Sequence, residues 1–151
     1  MAREGLLHKS KVIRSSVKAV ESLCRELLAD VEAYGFDEDA VFGIHLAMEE
    51  AFLNAVKHGN RDDRNKRVRV DCVIGAEKFE ISISDEGDGF DPESVPDPRT
   101  EENICRSSGR GVLLMRAYMD SVEFNDRGNC VRMTKYKSKG GVDESRDKSR
   151  H

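Results

Sequence analysis

The stretch that most restricts the fold is FGIHLAMEEAFLNAVKHGN, residues 42–60. Ile44, Ala47, Met48, Ala51, Phe52, Ala55 and Val56 recur at intervals of three and four without a gap. An α-helix turns about 100° per residue, so this spacing gathers them into one apolar stripe that another layer has to cover. Glu50, Asn54 and His58, four residues apart, form a row along one edge of the stripe, and Glu49 falls on the opposite edge. Glu50 and Asn54 can therefore address one ligand together. A carboxylate and an amide oxygen on one rigid helix suit a hard cation such as Mg²⁺, or a positioned water. A helix boundary with solvated polar residues, closed by Gly59 as its C′ residue, explains the same row without a ligand.

The covering layer is legible in period-two runs. KRVRVDCVI and KFEISIS alternate around the turn GAE, DSVEFN and NCVRMTKY form a closing hairpin across DRG, and LLHKSKVI reads as a first strand. In SSVKAVESLCRELLADVEAYG, Val17, Val20, Leu23, Leu27, Leu28 and Val31 keep a helical period, with Ser15 or Ser16 as cap and Gly35 at the end. The second helix runs from its N-cap at about Asp37 to about His58, and a third, GVLLMRAYM, begins near Gly111. The order is strand, two helices, two strands, a long loop, helix, two strands. It predicts an α/β fold, a two-layer sandwich whose mixed, mostly antiparallel sheet is covered on one face by three helices.

A chain of 151 residues builds one core, here over residues 1–136. The tail from Lys137, KSKGGVDESRDKSRH, is polar and reads as disordered. A net charge of −4 argues against direct, nonspecific nucleic-acid binding. No apolar run approaches the roughly 18 residues of a membrane span, and MAREGLLHKSKV lacks a signal-peptide core, so the expected location is cytoplasmic and off the membrane. Cys24, Cys72, Cys105 and Cys130 form no C-x-x-C or Cys/His pair, which favours reduced thiols over a zinc site.

Two glycine-bearing segments carry further chemistry. In DEGDGFDP, residues 85–92, Asp85 follows a strand end, and Gly87 and Gly89 let a flat ligand approach the backbone. Carboxylates accept hydrogen bonds, so they suit an exocyclic amine of a base and not a phosphate. A tight acidic turn would explain the segment too; a calcium loop would not, because D-x-[DN]-x-[DN]-G is not met. In RSSGRGVLLM, Gly109 and Gly111 sit just before a helix, where unpaired amides and the helix dipole favour anions. Arg106 and Arg110 add charge suited to phosphate oxygens, although a plain helix-start turn has the same form. The segment is not a Walker A loop.

Taken in order, EEAFLNAVKHGN, DEGDGFDP and SSGRGVLLMRAYMD closely resemble the N, G1 and G2 boxes of the GHKL, or Bergerat-fold, ATPases. E-x-x-x-N-A-x-x-H-G and the small size look most like the anti-sigma-factor serine/threonine kinases, over roughly residues 10–136. The resemblance implies ATP and Mg²⁺ as cofactors. It implies that Asn54 coordinates Mg²⁺, that Glu50 is the general base, and that His58 supports the site. Asp85 would read the adenine amine, with Gly87 and Gly89 lining the base pocket. Residues 91–110 would form the ATP lid, and Gly109, Arg110 and Gly111 would meet the phosphates. Arg106 and Arg110 are both candidates for the lid arginine. Asn129 stands where many relatives place a Thr that helps hold the base.

The implied substrate is a Ser or Thr on a STAS-type anti-anti-sigma protein, the alternate partner is a sigma factor, and a homodimer is common in the family. Two alternatives stay open: an ATP-binding regulatory module with little phosphotransfer, and the detached ATP-binding half of a histidine kinase. The latter would lack its dimerisation segment and phospho-acceptor His.

Overall fold

The computed structural model describes residues 5–61, 63, 65–87, 107–126 and 128–137, with the backbone alone at 58 and 107–110. Among these, the chain forms β1 Leu7–Arg14, α1 Val17–Ala33, α2 Glu38–Leu53, β2 Arg67–Ile74, β3 Lys78–Ser84, α3 Ser107–Tyr118, β4 Ser121–Phe124 and β5 Cys130–Tyr136. The strands lie in the order β1-β2-β3-β5-β4. The sequence left room for a parallel pair; each pairing among the described strands is antiparallel.

Alternation decides which face of the sheet is covered. Val68, Val70, Cys72 and Ile74 of β2, Phe79, Ile81 and Ile83 of β3, and Val131 and Met133 of β5 all point into the core. They meet Val20, Leu23, Leu27 and Val31 of α1 and the stripe of α2, whose Ile44, Met48 and Phe52 are wholly buried. α3 adds Val112 and Met115. The opposite face carries a polar row across all five strands, Ser10, Asp71, Ser82, Arg132 and Glu123, in mutual register.

Local signals fix the helix ends. Ser16, not Ser15, caps α1, its hydroxyl accepting from Ala19 N–H at 3.2 Å. Gly35 follows the end of α1 in the left-handed region at φ +87°. Asp37 caps α2 by accepting from Ala40 N–H at 2.8 Å. Lys9 of β1 pairs with Asp30 at 2.6 Å and Glu26 at 2.7 Å, tying the edge strand to α1.

Two boundaries differ from the sequence expectation. α3 begins at Ser107, so Gly109 and Gly111 lie inside the helix and not before it. After Leu53, α2 continues as a π-helical turn, Asn54–Gly59, closed by a five-residue hydrogen bond from Asn60 N–H to Ala55 O at 2.8 Å. Gly59 is not a left-handed C′ residue; the positive φ belongs to Arg61, at 52°. The expected tail lies outside the described residues from 138 onward. Among the described residues no helix is long and apolar enough to cross a membrane.

Candidate functional site

The site lies where the C-terminal end of α2, the start of α3 and the β3 and β5 ends converge. Glu50 and Asn54 share a neighbour across the helix pair: a Cβ built at Gly111 would lie 2.9 Å from Glu50 Oε1 and 3.7 Å from Asn54 Nδ2. At the far end of the same pair, a Cβ at Gly43 of α2 would lie 3.1 Å from the Tyr118 ring of α3. One glycine from each helix thus seats them closely. Glu50 is half-buried on this side, whereas Glu49 is exposed and faces a groove between α1 and α2 with Cys24, Arg25 and His45. The opposite-edge assignment of these two acids follows from the helix geometry.

Asp85 ends β3 against α2. Its N–H donates to Asn129 O at 2.9 Å, extending the β3–β5 ladder, and Asn129 Nδ2 donates to Asp85 O at 3.4 Å. One carboxylate oxygen accepts from Gly87 N–H at 2.8 Å. Burial pushes the Asp85 pKa above its ordinary value, opposed by the Gly87 hydrogen bond and the Lys66 charge. Gly59 makes this placement possible, because a side chain there would overlap the Asp85 carboxyl. Gly87 packs onto Gly59 in turn, and a Cβ on it would overlap the Gly59 carbonyl oxygen. Both glycines are needed for close approach, not for turn conformation.

Between these groups lies a narrow pocket. Ala51, Ala55, Ile83, Phe124 and Val131 give it apolar walls, and Asn54, Asp85, Gly128 and Asn129 line its polar rim. Gly128 is left-handed at φ +74°, which turns the β4–β5 hairpin so that Asn129 reaches Asp85. Asn125 accepts from Asn129 N–H at 3.0 Å and holds that turn. The lining of the pocket offers apolar contacts beside the Asp85 carboxylate, an acceptor suited to an amine donor. The amides of the first turn of α3 have no acceptor inside the helix, which favours an anion there.

Of the residues singled out in the sequence, the structure brings together Glu50, Asn54, Asp85, Gly87, Gly111 and Asn129. Gly109 and Arg110 lie in the first turn of α3, and His58 lies in the π-helical turn. Gly89, Arg106 and the expected lid up to residue 106 lie outside the described residues. Sequence reasoning gave Gly59 a different role and passed over Asn60. Asn60 is wholly buried, although it follows a glycine at a helix end where a solvated residue is the usual occupant. The signal that was available is HGN itself, a polar triplet directly after the apolar stripe.

Comparison with known proteins bears on what binds here. The histidine kinase-like ATPase domain family matches residues 13–135. The serine-protein kinase RsbW of Listeria monocytogenes is 31% identical over 118 residues, covering 74% of this chain and 75% of that protein. The protein of the same name from Oceanobacillus iheyensis is 30% identical over 120 residues, covering 75% and 76%. The Bacillus subtilis protein of that name is 31% identical over 116 residues, covering 72% of each chain.

Proposed function

The chain belongs to the histidine kinase-like ATPase family, among relatives named as serine-protein kinases, and on that premise we propose that it is an ATP-dependent serine/threonine protein kinase acting as an anti-sigma factor. Its substrate is a Ser or Thr on a STAS-type anti-anti-sigma protein, and it alternates between that protein and a sigma factor in a partner-switching pathway. The observation that carries this reading is the joint placement of Glu50 and Asn54 against Gly111, beside the pocket that holds Asp85.

Asp85 accepts the adenine amine, and the apolar walls take the two faces of the base. Asn54 has an amide nitrogen that is buried and has no hydrogen-bond partner among the described residues. A half-turn of that amide exchanges nitrogen for oxygen, so the group fits either a phosphate oxygen or Mg²⁺. Asn54 would hold Mg²⁺, which when bound would supply neutralisation of charge on the transferring phosphoryl group. Glu50 takes the proton of the acceptor hydroxyl. The new bond forms from that oxygen to the γ-phosphorus, the bond to the β-phosphate oxygen breaks, and ADP leaves. A phosphoryl group on the antagonist adds about −1.5 to −2 charges, enough to disrupt an interface by repulsion and desolvation.

Calorimetric titration with ATP and Mg²⁺, paired with a transfer assay on the antagonist, tests the reading. Asn54→Ala weakens Mg²⁺-dependent binding by about 10- to 100-fold, the size of one lost charge-assisted contact. Glu50→Ala leaves binding near wild type and slows transfer by about 10²- to 10⁴-fold. Wild-type binding without transfer would leave an ATP-dependent partner-binding module, and transfer unchanged in Glu50→Ala would remove Glu50 as the base.

A further inference from the structure

Asn60 does not line the pocket, yet its side chain joins three elements around the site. It is 0% exposed. Its Nδ2 donates to Ser15 Oγ at 3.1 Å and to Arg67 O at 3.0 Å, and its Oδ1 accepts from Glu86 N–H at 2.8 Å. Its own N–H closes the π-helical turn on Ala55 O. The two amide protons and the oxygen are all used, so the amide orientation is fixed by its partners.

Each partner leads to a different element. Ser15 lies at the β1–α1 junction and is 1% exposed, Arg67 opens β2, and Glu86 stands between Asp85 and Gly87. The Glu86 carboxylate returns to the same anchor, accepting from Arg67 N–H at 3.1 Å. The backbone at Glu86 is therefore tied to Asn60, just after the Asp85 backbone leaves its bonds to Asn129, while the π-helical turn that Asn60 closes carries Asn54 at its other end. Nothing in this arrangement requires an amide for helix capping: the turn is closed by the backbone N–H of residue 60, which every residue but proline supplies.

We propose that Asn60 is a positioning residue. It holds the Asp85–Gly87 segment at a fixed height over Gly59, and so sets which base the pocket accepts. The inference rests on the ATP reading for the identity of the ligand but not for the mechanical link. Without the Asn60 amide, the Glu86 N–H and Arg67 O lose their shared partner inside the fold, water can take its place, and the segment from Glu86 onward relaxes away from Gly59. The Asp85 carboxylate moves with it and no longer meets an exocyclic amine. The phosphate-side groups on α2 and α3 stay where the helix pair holds them.

The test compares Asn60→Ala and Ser15→Ala with wild type by residue-resolved amide exchange and by titration with ATP and with inosine triphosphate, which has a carbonyl where adenine has its amine. In Asn60→Ala the amides of Glu86 and Gly87 exchange faster than those of β3. The ATP preference falls by about tenfold or more while affinity for inosine triphosphate holds, the mark of a lost base-edge contact. A purely structural residue would lower both affinities together. Ser15→Ala, which leaves the Arg67 O acceptor in place, shows the same changes at smaller size and keeps the proposal testable if Asn60→Ala fails to fold. Unchanged exchange at Glu86 and Gly87 in either folded variant, or an unchanged base preference, overturns the proposal. Faster exchange in a protein whose wild type shows no nucleotide binding supports the mechanical link and sinks the ATP reading instead.

Discussion

On the proposed reading Asp85 meets two opposed demands: the ligand needs its carboxylate charged, and burial disfavours that charge. Burial raises its pKa, so the folded protein holds the proton more tightly than the unfolded chain does. Its contribution to stability is complete below the ordinary carboxylate range and is lost as pH rises through the raised value. Nucleotide binding has the opposite sign, weakening as pH falls through that value, because the protonated group no longer offers a free acceptor. Asp85→Asn separates the two effects. The amide oxygen has to keep accepting from Gly87 N–H, which turns the amide nitrogen toward the adenine amine and sets donor against donor. ATP affinity measured by titration should drop by about 10- to 100-fold. The melting temperature at pH 7 should stay level or rise. A lower melting temperature would show that the carboxylate supports the fold. The position of Asp85 just after a strand was readable in the sequence. Its packing against Gly59 was not, because nothing local to either residue implies the other.

At the scale of elements, the glycines distinguish fold from chemistry. Gly111→Ala adds a methyl 2.9 Å from Glu50 Oε1, the far end of a flexible side chain that can swing away. Alanine also favours a helix over glycine by about 1 kcal/mol, so thermal melting should not fall while phosphotransfer does. Gly59→Ala drives its methyl into the Asp85 carboxyl, beneath a Gly87 that is already in backbone contact. Overpacking of this kind costs about 1–3 kcal/mol, and both the melting temperature and ATP affinity should decline. Equal loss of melting temperature in the two variants would contradict the distinction. The helical period announced α2 correctly up to Leu53. The π-helical turn beyond it has no periodic signature, since one six-residue stretch is too short to show a changed period. Its cause is tertiary, namely the burial of Asn60 under β2 and the Asp85 loop. The start of α3 at Ser107 was hidden for a different reason: SSGRG lacks apolar residues, so periodicity could not report a helix there.

Across the whole molecule a single core lies between the helices and one face of the sheet, so buried groups throughout it should respond to one opening reaction. Cys24 on α1 and Cys72 on β2 report on this. Burial pushes both thiols up to about 12, with nearby acidic groups adding to the effect, leaving almost no thiolate near neutrality. Pulse labelling resolved by mass spectrometry should find both protected in the native protein and modified together, at the rate of global unfolding. Labelling of one without the other would mean that α1 opens independently of the sheet. The polar row from Ser10 to Glu123 explains why the strands were so legible. With one face wet and one dry, alternation is clean in β2 and β3, and the sequence records it directly.

Periodicity determined the strands, α1, α2 up to Leu53 and the body of α3, most of the residues that face the core, and the placing of Glu50 and Asn54 on one edge of a helix and Glu49 on the other. Those properties follow from repeat distances along a single helix or strand. The tertiary structure decided that Gly59 makes room for Asp85, that Gly111 faces Glu50, and that Asn60 links residues 45 and 26 positions away. Such contacts depend on how elements distant in sequence are stacked. A glycine or an asparagine carries no local mark of the neighbour it will meet.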